Sequence, residues 1–293
     1  MRKYLRFARL FVLGAGAVGM LLMLWLFSTG TDVRGLYPAK HPGWVLLWIL
    51  TGLVAVTLWL LSRQAGLNRN YRQNFPASFP AALGCLAGAV GLLTGGIQAF
   101  GKPDLLHILT GLCGIGGCLS LLLAGFCRFR GEKSVLPVHI LPCFFFAFEL
   151  FVLGQQYGDE PEMCRYLYRF FASAALVPAC YWLWGFEVNL TRRPACLFWC
   201  LLAAYCSLIA VAGGEQWMLY GGTSLWMLTA VPKLRYLPKP PRPRPAPAQE
   251  PVSESVAEQE APVPDPLVFD LPDVDSVLNE LLQDFGKKDT PNS

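Results

Sequence analysis

Long apolar blocks separated by short polar connections fill residues 1–232 of the chain. An α-helix needs about 20 apolar residues to cross a hydrocarbon core roughly 30 Å thick, and eight blocks approach that length. The blocks are Leu10–Phe27, Gly43–Leu61, Pro80–Phe100, Leu105–Cys127, Val135–Gly154, Leu167–Phe186, Pro194–Gly213 and Trp217–Val231. They lack the strand-like alternation of a membrane β-barrel. The pattern predicts an all-α, polytopic membrane helix bundle of about eight transmembrane helices, the last being the shortest.

A different pattern, one apolar stripe on an acidic segment, appears near the C-terminus. The stripe follows the i, i+3, i+4, i+7 spacing of a single helix face. It consists of Val274, Val277, Leu278, Leu281, Leu282 and Phe285. Asp273 suits the start of such a helix and Gly286 its end. Residues 269–288 are therefore predicted to form a short, acidic amphipathic helix.

Residues 233–268 connect the apolar region to this helix and are rich in proline. The first part, Lys233–Pro245, is basic, whereas Ala246–Pro266 contains acids and no lysine or arginine. Proline favours an extended chain, and a segment with so few apolar residues cannot bury a core. We expect a disordered linker over 233–268 and a disordered terminus over 289–293.

Composition agrees with a membrane protein, because 54% of the residues are hydrophobic and only 15% are charged. Soluble domains contain about 25% charged residues. The opening sequence MRKYLRFAR resembles the basic start of a signal peptide. The apolar run behind it is long, however, and no A-x-A cleavage site closes it. We interpret Leu10–Phe27 as the first membrane helix.

Lysine and arginine are dense in alternate connections, as expected when one side of the membrane is cytoplasmic. Cations precede the first block and follow the second, fourth, sixth and eighth blocks, while the other connections hold few. This alternation requires two helices within residues 194–231, divided at the sequence GGEQ. It predicts that both termini are cytoplasmic, in a protein integral to the cell (plasma) membrane and surrounded by the lipid bilayer.

Glycines mark the third and fourth blocks, which only four residues (101–104) separate. Gly84 and Gly88, and then Gly91 and Gly95, form two GxxxG pairs, and further glycines from 111 to 117 occupy the next block. Small residues allow membrane helices to approach closely. The pattern predicts a tight antiparallel hairpin, and the alternative is a face for homo-oligomer formation.

Glu149 is the main candidate for membrane chemistry, because an ionisable residue inside a span is costly. It lies about 7 Å, or five residues, from the outer end of the fifth block. Gln98, His107 and Arg169 lie near outer ends of other blocks and, with Glu149, form a possible outward-facing polar pocket. The alternative is that these three side chains reach the headgroups unaided. His139 is expected to form a helix–helix hydrogen bond, and prolines 137, 142 and 178 are potential kinks.

Catalytic, metal and cofactor motifs are missing from the sequence. It contains no GxxxxGK[ST], HExxH or GxSxG, and its ten cysteines include no CxxC. We predict no catalytic or metal residues, no cofactor and no nucleic-acid partner. The cysteines are expected to act as small hydrophobic residues, apart from Cys164 in an outer connection.

The tail suggests a function because a helix of about 12 residues is marginal alone in water, so another surface should cover its stripe. Its acidic polar face suits a protein groove better than an anionic bilayer. The surface that covers the stripe could belong to a cytoplasmic protein, to a second tail or to the protein's own loops, or the stripe could have no partner. The leading hypothesis is a membrane scaffold or signalling adaptor that recruits a cytoplasmic partner. The alternatives are a small-molecule or ion transporter using the Glu149 pocket, and a lipid-modifying enzyme.

Overall fold

The structure, a computed structural model, describes residues 2–29, 41–65, 71–134, 138–157, 163–188 and 190–231. Within these residues the chain forms eight long α-helices and no strand. They are α1 (Arg2–Thr29), α2 (Pro42–Arg63), α3 (Phe79–Ala99), α4 (Leu105–Arg130), α5 (Ile140–Tyr157), α6 (Met163–Glu187), α7 (Arg193–Ala210) and α8 (Trp217–Ala230). The chain divides into two units, Met1–Pro238 and Lys239–Ser293, and every described residue belongs to the first. The predicted linker, amphipathic helix and terminus lie outside the described residues.

The all-α prediction is confirmed for the described residues, because each of the eight apolar blocks corresponds to one helix. Six of these helices, α1 to α5 and α7 with its following turn, are long and apolar enough to cross a membrane. This indicates an integral membrane protein. Helix α6 carries charged residues near both ends, and the 14 residues of α8 extend only about 21 Å at 1.5 Å per residue.

Local sequence explains where several helices begin and end. Proline occupies the first turn of α2, α3 and α7, where its missing amide proton costs no helical hydrogen bond. His41 precedes α2 and accepts a hydrogen bond from the Gly43 amide through Nδ1, at 3.1 Å. Helix α4 stops at Gly131, whose φ of 74° is the left-handed conformation that glycine adopts readily.

Helix α5 differs from its predicted block at both ends. It begins at Ile140 rather than Val135, so Pro142 lies in its first turn, where no kink is required. Pro137 lies outside the described residues. The helix continues to Tyr157, three residues beyond the predicted end. Glu149 is consequently about 12 Å from the end of α5 at 1.5 Å per residue, deeper than the sequence predicted.

The tight α3–α4 hairpin is confirmed by the closeness of the two backbones. A Cβ atom added to Gly114 would lie 2.7 Å from the Gly96 Cα, closer than two carbon atoms can approach. Small residues at both positions are therefore necessary for this contact.

Helix α8 packs against the other glycines of α3, which the sequence did not predict. A Cβ atom on Gly84 would collide with Thr229 and one on Gly88 with Trp226, and one on Gly91 would lie only 3.0 Å from backbone oxygens of α8. These glycines are buried within the chain, and homo-oligomer formation through the glycine-rich helices stays a prediction.

Helix α7 lies at the centre of the bundle and contacts α1, α2, α6 and α8. Its Tyr205 is fully buried, and the Tyr205 hydroxyl lies 3.1 Å from the hydroxyl of Thr51 in α2. The same Thr51 oxygen lies 2.6 Å from the hydroxyl of Tyr168 in α6. These three hydroxyl groups satisfy one another inside an apolar core, which links three helices.

Two hydrogen bonds to backbone carbonyl groups show that cation-rich helix ends lie together at one end of the bundle. Arg9 of α1 donates from Nη2 to the carbonyl of Val231, directly after α8, at 3.2 Å. The amide of Ser78, directly before α3, donates to the carbonyl of Arg128 in α4 at 3.1 Å. We name this the basic end, and its helix termini carry Arg9, Arg63, Arg128, Arg130 and Arg193.

Candidate functional site

A buried guanidinium group is the centre of the first polar cluster. Arg169 of α6 donates from Nη1 to Glu215 Oε2 at 2.9 Å, and Tyr220 of α8 lies close to the same side chain. The side chain of Arg169 is 7% exposed, whereas that of Glu215 is 48% exposed. The rings of Tyr166 and Tyr157 lie 5.4 and 6.0 Å from the guanidinium carbon. Arg169 thus has both a carboxylate and aromatic faces around it.

Glu149 of α5 lies beside this guanidinium group and is only 4% exposed. The Gln216 side chain lies close to the Glu149 carboxylate, and the charges of Arg169 and Lys102 act on it. The Gln216 Oε1 atom is buried without a hydrogen-bond partner. A buried carboxylate is costly unless other groups compensate its charge, and the nearby Arg169 and Lys102 cations lower that cost here. We name Glu149, Arg169, Glu215, Gln216 and Tyr220 the Arg169 cluster.

Two of the four residues of the predicted polar pocket come together, namely Glu149 and Arg169. Gln98 is exposed at the end of α3. His107 is buried in the first turn of α4, with Nδ1 3.5 Å from Asp104. Among the described residues neither Gln98 nor His107 forms a hydrogen bond with Glu149. From the α3–α4 connection, the charge that acts on Glu149 is that of Lys102.

Sequence reasoning missed Glu215, Gln216 and Tyr220. The first two belong to the sequence GGEQ, which served only to divide α7 from α8. Gly214 has a φ of 79°, and this turn brings the polar residues after it to the start of α8. The sequence did contain a signal for Glu215 and Gln216, because these two polar residues interrupt a long apolar region. A carboxylate at such a position can neutralise a buried arginine. Tyr220 lies in an apolar stretch and gave no signal of this kind.

The second polar cluster is a pair, His139 directly before α5 and Glu187 at the end of α6. The His139 Nδ1 and Glu187 Oε1 atoms are 2.5 Å apart, and both residues are buried. The His139 ring also stacks on Trp226 of α8, with 6.0 Å between centroids. This confirms the predicted helix–helix hydrogen bond of His139. Glu187 was missed because it follows the apolar block that ends at Phe186.

Arg128 lies near this pair and is buried under aromatic rings. Its guanidinium carbon is 5.5 Å from the ring centroid of Tyr71, which belongs to the helical turn Tyr71–Asn74. It is 3.6 Å from the ring centroid of Phe75, which follows this turn. Burial raises the pKa of Tyr71, and the charge of Arg128 opposes this rise. The Glu187 charge also acts on Tyr71, so the His139–Glu187 pair and Arg128 belong to the same neighbourhood at the basic end.

Metal and disulfide chemistry find no structural support in the described part of the chain. No group of three or more histidine, cysteine, aspartate or glutamate side chains there is arranged to hold a metal ion. The nine cysteines whose side chains are described are free thiols, and the sulfur atoms of Cys196 and Cys200 are 3.8 Å apart without a bond. The described thiols lie in helices and fit the predicted role of small hydrophobic residues.

Comparisons with protein-family models, with curated proteins and with solved structures found no match to this chain.

Proposed function

We propose that this protein is a membrane scaffold or signalling adaptor, which recruits a cytoplasmic protein through the apolar stripe of residues 274–285. The observation that carries the proposal is the stripe itself, six apolar residues on one helix face, joined to the bundle by a proline-rich linker. In this proposal the bundle has eight spans in the plasma membrane, and both termini are cytoplasmic.

The geometry of the basic end supports this arrangement. The Arg9–Val231 hydrogen bond joins the start of α1 to the end of α8, so the chain enters and leaves the described bundle at the same end. That end also has exposed cations in its connections, Lys133 and Arg192 among them. A cation-rich end is the one expected to face the cytoplasm, which is where a recruitment peptide is useful.

The test is a crosslinking pull-down from native membranes that compares the full chain with a chain truncated after Arg235. We expect a cytoplasmic protein that only the full chain captures, and we expect Leu278→Asp or Leu281→Asp to abolish its capture while membrane insertion persists. Gln283→Asp is the matched control, because it adds the same charge on the opposite face of the helix. An identical set of captured proteins from both chains would reduce the tail to a spacer.

A second candidate function is transport of a small molecule or ion through the Arg169 cluster. The observation that favours it is that two carboxylates of different accessibility act on one buried arginine. Glu149 is buried, whereas Glu215 is about half-exposed and follows the glycine turn at 213–214. An ionisable cluster inside a membrane bundle is a candidate ion or proton pathway by default.

A further inference from the structure

An apolar groove of about 300 Å³ runs along the outside of the α3–α4 hairpin. Phenylalanine and leucine side chains, including Phe79, Leu83 and Phe126, surround the small residues Ala82 and Gly125. Its volume is at the lower limit of the roughly 300–1,000 Å³ that is typical of ligand pockets. The groove follows the first turns of α3 and the last turns of α4, and therefore reaches the basic end.

A cation lies at the end of this groove. The guanidinium carbon of Arg130, the last residue of α4, is 4.2 Å from the centroid of the Phe126 ring that lines the groove. Lys133 is exposed three residues later, and Glu132 is the acidic residue of the same connection. Two exposed cations therefore outnumber one acid where the groove meets the membrane surface.

A groove of this kind in a membrane helix pair can take a lipid tail. The groove is open at the side and extends about 10 Å from Leu122 to Phe129 at 1.5 Å per residue, which suits the upper part of one acyl chain. A whole α-helix is about 10–12 Å wide and would cover the groove without entering it. Basic pockets between membrane helices on the cytoplasmic side are suited to anionic lipid headgroups.

We infer that the α3–α4 groove is a binding site for one anionic phospholipid. The acyl chain lies against Ala82 and Gly125 between the flanking phenylalanine and leucine side chains. The phosphate pairs with Arg130, which the Phe126 ring holds at the end of the groove. This inference goes beyond the proposed adaptor function and does not depend on the tail.

Native mass spectrometry of the full chain tests the site with two lipids, phosphatidylglycerol and the zwitterionic phosphatidylcholine. We expect the protein to retain phosphatidylglycerol preferentially, and Arg130→Gln to weaken its retention by about fivefold, the effect of one cation near a membrane surface. Arg63→Gln is the matched control, because Arg63 is also exposed and lies over a ring, that of Trp59 at 3.7 Å, on α2. The control is expected to retain the lipid like the unaltered protein.

A groove-filling variant tests the acyl chain separately from the headgroup. Ala82→Phe should displace both lipids, whereas Gly52→Phe should displace neither, because Gly52 is exposed on α2 with no atom within 4 Å of an added Cβ. Inorganic phosphate should not compete, since it lacks an acyl chain. Equal losses in Arg130→Gln and Arg63→Gln would overturn the inference. Full retention of both lipids by Ala82→Phe would also overturn it. So would the finding that the unaltered protein binds no lipid and forms a dimer that Ala82→Phe dissociates.

Discussion

Two carboxylates act on Arg169 from different surroundings, and this asymmetry decides what each can do. Glu149 is buried inside the bundle, where the Gln216 side chain and the arginine charge act on it. Glu215 is half-exposed and reaches the arginine from a turn that contains Gly214. Exchange of Glu215 for water or a ligand removes the salt bridge of Arg169, while the charge of Glu149 still acts on it. Loss of Glu149 removes a buried charge that solvent cannot replace.

Glu149→Gln separates the two proposed functions. If the Arg169 cluster carries protons, Glu149→Gln should lower proton flux in proteoliposomes, since an amide, unlike a carboxyl group, does not change its protonation state near neutral pH. The measurement is the dissipation of an imposed pH gradient. Truncation after Arg235 should leave the flux unchanged and serves as the control. Equal flux in the unaltered protein and in Glu149→Gln, with greater stability of Glu149→Leu, would identify Glu149 as a dispensable buried charge.

Among the elements, α8 depends on one of its own glycines for its position against α3. Gly222 packs so closely on α3 that a Cβ atom there would collide with the carbonyl of Ala87. The next residue toward the N-terminus, Gly221, has only an ordinary contact, 3.8 Å to Val211. Two adjacent glycines of one helix therefore have opposite requirements, and they form a matched pair for substitution.

Gly222→Ala should destabilise the protein by about 1–3 kcal/mol, because overpacking against backbone forces the helices apart. Gly221→Ala should leave stability unchanged or raise it slightly, since alanine favours a helix by about 1 kcal/mol over glycine. Thermal unfolding of the two variants in the same detergent measures the difference. Similar midpoints for both variants would mean that α8 does not pack on α3 through Gly222.

Sequence patterns predicted these elements well because a span needs a long apolar run, which is a local property. The start of α5 was predicted too early because the apolar run in the sequence already begins at Val135, whereas the helix begins at Ile140 with Pro142 in its first turn. The partners were harder to predict. Arg169 and Glu215 are 46 positions apart along the chain. Gly222 packs against Ala87, which is still farther away in the sequence. The sequence shows which residues of a helix are small or charged, but it does not show which other helix packs against them.

At the scale of the whole molecule, the two ends of the bundle differ in charge and in chemistry. The basic end has five arginines on four helix termini, the His139–Glu187 pair and the lipid groove. The opposite end has His41, which precedes α2 and lies against Trp25 near the end of α1. The Arg169 cluster and Lys102 also lie at this opposite end. A membrane protein with such a difference between its ends has one preferred orientation.

Labelling of two engineered cysteines with a membrane-impermeant maleimide measures that orientation. Lys133 is exposed at the basic end and Asp104 is exposed at the opposite end, so each is a suitable position. In a Cys164→Ser background, Asp104→Cys should react in intact cells, whereas Lys133→Cys should react only after permeabilisation. Cys164→Ser alone supplies the background of the helix-embedded thiols. Because the described bundle starts and ends at the basic end, labelling of Lys133→Cys in intact cells would put the tail outside the cytoplasm. It would thereby contradict both the orientation and recruitment of a cytoplasmic partner.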